Sequence, residues 1–522
     1  MLRTGRKREA DELHAKLRRA CKNDDGALFN LGLMLAQAGQ FGNAASCFRQ
    51  VLKLAPRDAE ACFNLGKAYA MQNLAEKAEA CYRNALRIKP DFAEACQNLC
   101  NILYQGNRLQ EAEEYARRLL ALRPDDAGAH NNLGLILASR GKTEDARRIH
   151  NQALHLNPGQ AETYNHLGRI SYDAGDLDHA SEIFHKALQL KPDFDQAHWN
   201  LATIQLLTGD FKHCWPGYEC RISPLKSETD ALPYRPWDGT PLAGRSLLIS
   251  AEQGIGDQIM FASCLPELGA QRGRIILECD ARLKPLFSRA FPGISVIGRK
   301  ERREARLAHL TRIPVDFHLP IGSLPKHLRR DLSCFPADSA YLIPDQHAFA
   351  QWKKRLTALG GGLKVGISWK GGTAETALKR STTLAQWQDI FSIPGLALIN
   401  LQYGDFRDEL RDAERNLGIT IHDWKEVDPL KDLDHFAALI AALDLVISVD
   451  NSTVHLAGAL GRPVWTLLPF MPDWRWMLER EDSPWYPTMR LFRQRSPGQW
   501  QPVFERVAHE LKSVIASNDC PR

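Results

Sequence analysis

The sequence has no CxxC pair among its 12 cysteines and no complete GxGxxG. The first absence argues against cysteine zinc sites and dithiol redox chemistry. The second argues against a dinucleotide cofactor. No apolar run is long enough to cross a bilayer: the longest, Ala437–Val449, is broken by Asp444. One-signed charge is also missing. The 67 Lys and Arg against 62 Asp and Glu leave +5 over 522 residues, too little to suggest bulk nucleic-acid binding. The basic N-terminus (Arg3, Arg6, Lys7, Arg8) runs into Glu9–Asp11 rather than an apolar stretch, so neither a signal peptide nor a membrane anchor is expected there. These absences predict a soluble cytoplasmic protein of a reducing compartment, with no transmembrane segment and no nucleic-acid partner. Its length predicts two or more domains.

An internal repeat is present. Pro56, Pro90, Pro124, Pro158 and Pro192 are each 34 residues apart. Leu31, Leu65, Leu99, Leu133 and Leu167 keep the same frame, and so do Ala44, Ala78, Ala112, Ala146 and Ala180. Gly32, Gly66, Gly134 and Gly168 follow four of the leucines, with Cys100 in the third unit. Small residues where two helices approach, and a proline after the second helix, define a helix–turn–helix unit. These residues identify tetratricopeptide repeats. Five units span residues 25–192. A sixth first helix, Asp195–Thr208, and a cap over Phe211–Arg221 extend the array to 222, behind a basic segment over 1–24. Cys47 and Cys81, and Cys62 and Cys96, are repeat equivalents, expected as small buried thiols.

Asn30, Asn64, Asn98, Asn132 and Asn200 precede the framed Leu, with His166 in the fifth unit. The position lies on the first helix of each pair, which lines the concave face of such a superhelix. A carboxamide ladder there can bind the backbone of an extended peptide irrespective of its sequence. The alternative is that Asn is simply common at this position.

A Pro-rich connector covers 223–245. Short apolar runs then alternate with helices twice over, predicting two doubly wound parallel sheets: 246–345, and 346–522 with a C-terminal helix. Four motifs stand at strand ends, where ligands of such sheets bind. Gly254-Ile255-Gly256-Asp257 is a tight turn or a ligand approach, with Asp257 as helix cap or functional carboxylate. Asp450, Asn451, Ser452, Thr453 and His455 open a small-residue helix suited to phosphate, or are ordinary capping residues. Ser368-Trp369-Lys370-Gly371-Gly372, with Lys379 and Arg380, is a basic loop suited to a diphosphate, or a solvated one. Pro469–Trp476 brings Trp474 and Arg475 either to a sugar-stacking surface or into the core.

Together the segments GIGDQIMFAS, VGISWKGG and DLVISVDNSTVHLAGALGRPVW resemble the family 9 (heptosyltransferase-like) glycosyltransferases of the GT-B fold. The continuation PDWRWMLEREDSPWYPTMRLFRQ is similar to bacterial proteins that carry tetratricopeptide repeats before such a domain. The resemblance implies inverting, metal-independent transfer from a nucleotide-sugar, which is a substrate rather than a cofactor. It implies Asp257 as general base, the donor phosphates on Asp450, Asn451, Ser452, Thr453 and His455, and Lys370 or Arg380 helping the leaving group. Gly254, Gly256, Gln258, Ser368, Trp369, Gln402, Tyr403, Trp474 and Arg475 are expected around the donor or acceptor cleft. The sequence departs from the family at Asp450-Asn451-Ser452, where Asp-Thr-Gly is usual, and at Pro469-Phe470-Met471, where Gly-Pro-Thr is usual. Heptose is therefore not expected as the sugar. The layout is similar to protein O-GlcNAc transferases and repeat-bearing flagellin glycosyltransferases, which points to a protein acceptor held by the array; the alternatives are a glycan or lipid-linked acceptor, or a non-catalytic repeat scaffold that retains the GT-B fold.

Overall fold

The computed structural model describes residues 21, 23–225, 232–299, 303–335, 340–372, 376–404 and 406–517. The basic segment around Arg3–Arg8 lies outside them. The chain divides into two compact units, Met1–Tyr172 with Asp178–Pro192, and Asp173–Leu177 with Asp193–Arg522.

The first unit holds helix pairs: Asp25–Gln37 with Phe41–Leu54, Ala59–Ala70 with Ala75–Ile88, Ala93–Gln105 with Leu109–Leu122, Ala127–Ser139 with Thr143–Leu156, and Ala161–Asp173 with Leu177–Leu190. Asp24, Asp58 and Asp126 start three of the first helices by accepting the backbone N–H three residues on. The turn inside each pair needs a left-handed residue, and Gly39, Asn73, Asn107, Gly141 and Gly175 take positive φ there, 34 residues apart. The framed glycines admit a ring from the second helix. A Cβ on Gly66 would lie 2.6 Å from the Tyr82 ring, and Gly32, Gly134 and Gly168 meet Phe48, His150 and Phe184 in the same way. The third unit reverses the sizes, with buried Cys100 on the first helix and buried Ala116 on the second. Large-against-small packing is thus kept at that level. Among the described residues no disulfide joins the cysteines; Cys47, Cys62, Cys96 and Cys100 are buried, and Cys81, expected to be buried as well, is half-buried.

The second unit contains two parallel sheets. The first has the order β1-β5-β2-β3-β4, with β1 Arg235–Pro236, β2 Ser246–Ser250, β3 Arg274–Cys279, β4 Ile294–Gly298 and β5 Phe317–Pro320. The second has the order β11-β10-β9-β6-β7-β8, with β6 Leu363–Ser368, β7 Leu396–Asn400, β8 Ile421–His422, β9 Leu445–Val449, β10 Val464–Leu468 and β11 Met489–Arg493. Central strands such as β9 and β10 are buried on both faces, which is why they read as continuous apolar runs. Strand order reverses between β2 and β5 and between β6 and β9. Crevices therefore open at the carboxyl ends of those strands.

Two strands lie outside the sequence pattern. β1 falls inside the expected connector and pairs with β5, and β11 adds an edge beside β10. After β2 the chain forms two short helices, Ile255–Ala262 and Leu265–Gly269, because Pro266 offers no N–H and restarts the helix in its first turn. Helix Asp195–Thr208 and the short helix Trp215–Tyr218 pack within this unit. The Tyr218 ring lies 5.4 Å from Trp474 and 6.5 Å from Phe261, and Trp215 Nε1 donates to Arg329 O at 2.9 Å. Among the described residues no helix is long and apolar enough to cross a membrane.

Candidate active site

Two helix starts meet at the crevices. The loop after β2 enters helix Ile255–Ala262 through Gly254, and Asp257, in its first turn, turns back so that Oδ2 accepts from Gly254 N at 3.0 Å. The loop after β9 enters helix Ser452–Ala459 through Asn451, whose Oδ1 accepts from Thr453 N at 2.9 Å. The helices approach at Gly256, where a Cβ would lie 2.8 Å from His455 Cδ2. That distance explains the glycine. A cavity of about 620 Å³ lies there, lined by Gly254, Gly256, Asp257, Gln258, Arg380, Tyr403, Asp450, Asn451, Ser452, His455, Asp473 and Arg475 among others.

Charged groups of the cavity wall form a continuous chain. Asp450 Oδ2 lies 3.1 Å from Arg380 Nη1, and Arg380 Nη2 lies 3.1 Å from Asp473 Oδ2. Arg475 pairs through Nη1 with Asp473 and through Nη2 with Asp257. Burial, opposed by Arg380 and reinforced by Asp450, pushes the Asp473 carboxyl up to about 6. Burial also lowers the Arg475 guanidinium below its ordinary value and His455 to about 4. The His455 imidazole is therefore neutral near pH 7. Its Nδ1 is 2.9 Å from the Tyr486 hydroxyl and its ring stacks on Trp476 at 5.1 Å.

Behind the wall, Gln402 braces the loop after β6. Its Oε1 accepts from Ser368 Oγ at 3.0 Å, Trp369 N at 2.9 Å and Lys370 N at 2.8 Å. Asn451 Nδ2 ties the same loop to β9 by donating to Ser368 Oγ and Lys370 O at 2.8 and 3.0 Å. Ser452 Oγ reaches Tyr403 OH at 3.3 Å.

The structure thus brings Asp257, Gly254, Gly256, Gln258, Arg380, Tyr403, Asp450, Asn451, Ser452, His455 and Arg475 to one cavity. It leaves others out. Ser368, Trp369 and Thr453 are fully buried, and Gln402 is buried behind the loop it braces. Lys370 Nζ pairs with Glu409 and is not in the wall. Trp474 is not an exposed stacking surface: it is 4% exposed, because Tyr218 and Trp485 cover its faces edge-on at 5.4 and 6.1 Å. In the first unit Asn30 is exposed, and Asn64, Asn98 and Asn132 are half-buried. Asn64 Nδ2 donates to Glu60 O at 2.9 Å, and Asn98 Nδ2 lies 3.4 Å from Tyr82 OH. Asn200, in the second unit, is buried and accepts from Gln196 at 3.4 Å, so it presents no rung of a ladder. Asp473, Asp280, Arg282 and Arg299 also line the cavity and carry no pattern in the sequence. Asp473 lay in view, two residues before Arg475, with nothing in its spacing to mark it.

Helical repeats joined to paired parallel sheets, with a helix start and a carboxylate sharing one cavity, define the class of this protein by its geometry. Residues 29–91, 99–161 and 137–203 match tetratricopeptide-repeat models. Residues 411–472 match glycosyltransferase family 9 (heptosyltransferase), a span that includes β9, the Ser452–Ala459 helix and β10. The chain is 37% identical over 318 residues to protein FlbA of Caulobacter vibrioides, covering 58% of this chain and 52% of that protein. It therefore spans about half the length of this curated relative. Among solved structures, YrrB, a tetratricopeptide-repeat protein with an unusual peptide-binding site, matches with 22% identity and a TM-score of 0.32 over 35% of this chain and 95% of its own. MamA from Desulfovibrio magneticus RS-1 matches with 22% identity and a TM-score of 0.32 over 33% and 99%. The chain thus carries tetratricopeptide repeats and a segment of family 9 glycosyltransferase type.

Proposed function

We propose that this protein is a GT-B-type glycosyltransferase that moves a sugar from a nucleotide-sugar onto an acceptor hydroxyl, with inversion and without a metal. One observation carries the reading. The Ser452–Ala459 helix start, within the segment matching family 9, shares its cavity with Asp257 of the other sheet. In this reading the free amides of that helix start, Ser452, Asn451 and Arg380 hold the donor phosphates. Asp257 takes the proton of the acceptor hydroxyl as its oxygen attacks the anomeric carbon. The bond from that carbon to the phosphate oxygen breaks, and the nucleotide leaves with the electron pair. Lys370 keeps at most a role at the rim. The acceptor is a protein, such as a flagellin or another surface protein, recruited in the cytoplasm by Asn30, Asn64, Asn98 and Asn132 of the array.

The test is a calorimetric panel of UDP-, ADP-, GDP- and CMP-linked sugars on the full chain, followed by mass measurement of a co-expressed flagellin. Saturable binding of one donor and a hexose-sized or larger mass increment support the reading. Binding of none leaves a scaffold with this shape. Binding with transfer only to glycan or lipid-linked acceptors rejects the protein acceptor.

A further inference from the structure

Asp473 holds two arginines at once. It sits after β10 at the start of the Trp474–Trp476 turn, where Oδ1 accepts from Arg475 N at 3.2 Å and pairs with Arg475 Nη1, while Oδ2 meets Arg380 Nη2 at 3.1 Å. Each arginine also grips a second carboxylate, Asp450 for Arg380 and Asp257 for Arg475. Three carboxylates therefore share two guanidiniums. The wall as a whole is no more cationic: Asp257, Asp280, Asp450 and Asp473 balance Arg282, Arg299, Arg380 and Arg475.

A nucleoside diphosphate brings at least two further negative charges to this wall. Repulsion between partly desolvated like charges falls off slowly, and the simplest relief is to neutralise a carboxylate. Asp473 is best placed. It faces Arg380 from the Ala377–Arg380 helix, Asp450 from the end of β9 and Arg475 from its own turn, with Asp257 beyond Arg475. The neutral His455, beside Asp450 and Arg380, and the Tyr218 hydroxyl, beside Arg475, bring no compensating charge. Its side chain is 18% exposed, and its carboxyl already stands at about 6. A dianion on the same arginines pushes it higher still.

We propose that Asp473 is a positioning residue that aims Arg380 and Arg475 at the donor's diphosphate and takes up a proton from solvent as the nucleotide binds. The proton releases both guanidiniums to the phosphates and leaves Asp473 as a neutral hydrogen-bonding anchor. The proposal rests on the donor reading above. It deepens that reading, because proton-linked binding also frees Arg475 from Asp257, the group that must accept the acceptor's proton.

The experiment is titration calorimetry of the full chain with UDP, GDP, ADP, CDP and CMP at pH 7, in Pipes, Hepes and Tris. Their different ionisation enthalpies give the protons taken up per nucleotide. The expected result for the nucleotide that binds is uptake of roughly half a proton or more. Uptake should fall to near zero in Asp473→Asn, with binding weaker but still measurable, and persist in Asp473→Glu. Equal uptake in wild type and Asp473→Asn, or none in wild type, overturns the role of Asp473 while leaving the donor reading intact. Binding of no nucleotide refutes both. If Asp473→Asn does not fold, Asp473→Ser takes its place in the same measurement: uptake equal to wild type overturns the role, and loss of uptake supports it.

Discussion

The Asp257 carboxylate and the Arg475 guanidinium form an ion pair that joins the first turn of helix Ile255–Ala262 to the Trp474–Trp476 turn after β10. If Asp257 is the base of the proposed transfer, Arg475 must turn to another anion before that carboxylate can take the acceptor's proton.

Replacing Asp257 by Asn tests the base. Transfer should fall by about 10²–10⁴-fold, with nucleotide affinity and melting temperature close to wild type, because Arg475 keeps Asp473. Normal turnover in this variant would remove Asp257 from the mechanism.

Arg380 and Lys370 should separate cleanly. Arg380→Gln removes the cation between Asp450 and Asp473, and nucleotide affinity should drop by about 10–100-fold, the worth of one or two charge-assisted hydrogen bonds. Lys370→Ala should change it by less than about threefold, since its ammonium is engaged by Glu409. Calorimetry that ranks the two the other way would return Lys370 to the donor site.

The exchange of sizes at Cys100 and Ala116 predicts coupling in the repeat core. Ala116→Phe alone should destabilise the array by about 1–3 kcal/mol through overpacking. Adding Cys100→Gly, which restores the pattern of Gly32 with Phe48 and Gly168 with Phe184, should recover most of that loss. Additive single-mutant effects in denaturant titrations would reject the paired contact.

His150 occupies the aromatic position of the fourth unit, fully buried, with neither ring nitrogen hydrogen-bonded. Its ring lies 5.3 Å from His166. Burial, aided by His166, lowers its value from 6.5 to about 3. The unfolded chain thus binds a proton below pH 6.5 that the folded chain refuses, and stability is lost as pH falls from 6.5 towards 3. His150→Phe should raise the melting temperature and flatten its fall between pH 6.5 and 4. An unchanged pH slope would place the acid sensitivity elsewhere.

Substituting Asn30, Asn64, Asn98 and Asn132 by Ala should raise the KM for a protein acceptor while leaving donor KM alone. Asn200→Ala should act on stability instead, because that side chain is buried. An unchanged acceptor KM in the fourfold variant would discard the ladder.

The repeats were legible almost residue by residue, because a 34-residue period repeats the same local contacts. The positive-φ turn residues Gly39, Asn73 and Asn107 share that period and were open to the same reading. The sheets were legible strand by strand wherever burial on both faces makes an apolar run. β1 was not, being two exposed residues with a proline. β11 was not either, since its Arg490 and Arg493 interrupt the run.

By itself, the sequence determined the helix pairs, the succession of strands and helices, and the polar residues that open the helices after β2 and β9. All of these are written in spacings of a few residues, or of one repeat. Only the tertiary structure decided that Arg380, Asp473 and Arg475 stand between Asp450 and Asp257. It also decided that Lys370 turns to Glu409 and that Trp474 is buried. Such pairings join residues up to 218 positions apart, at the meeting of two sheets, and no local period encodes that distance.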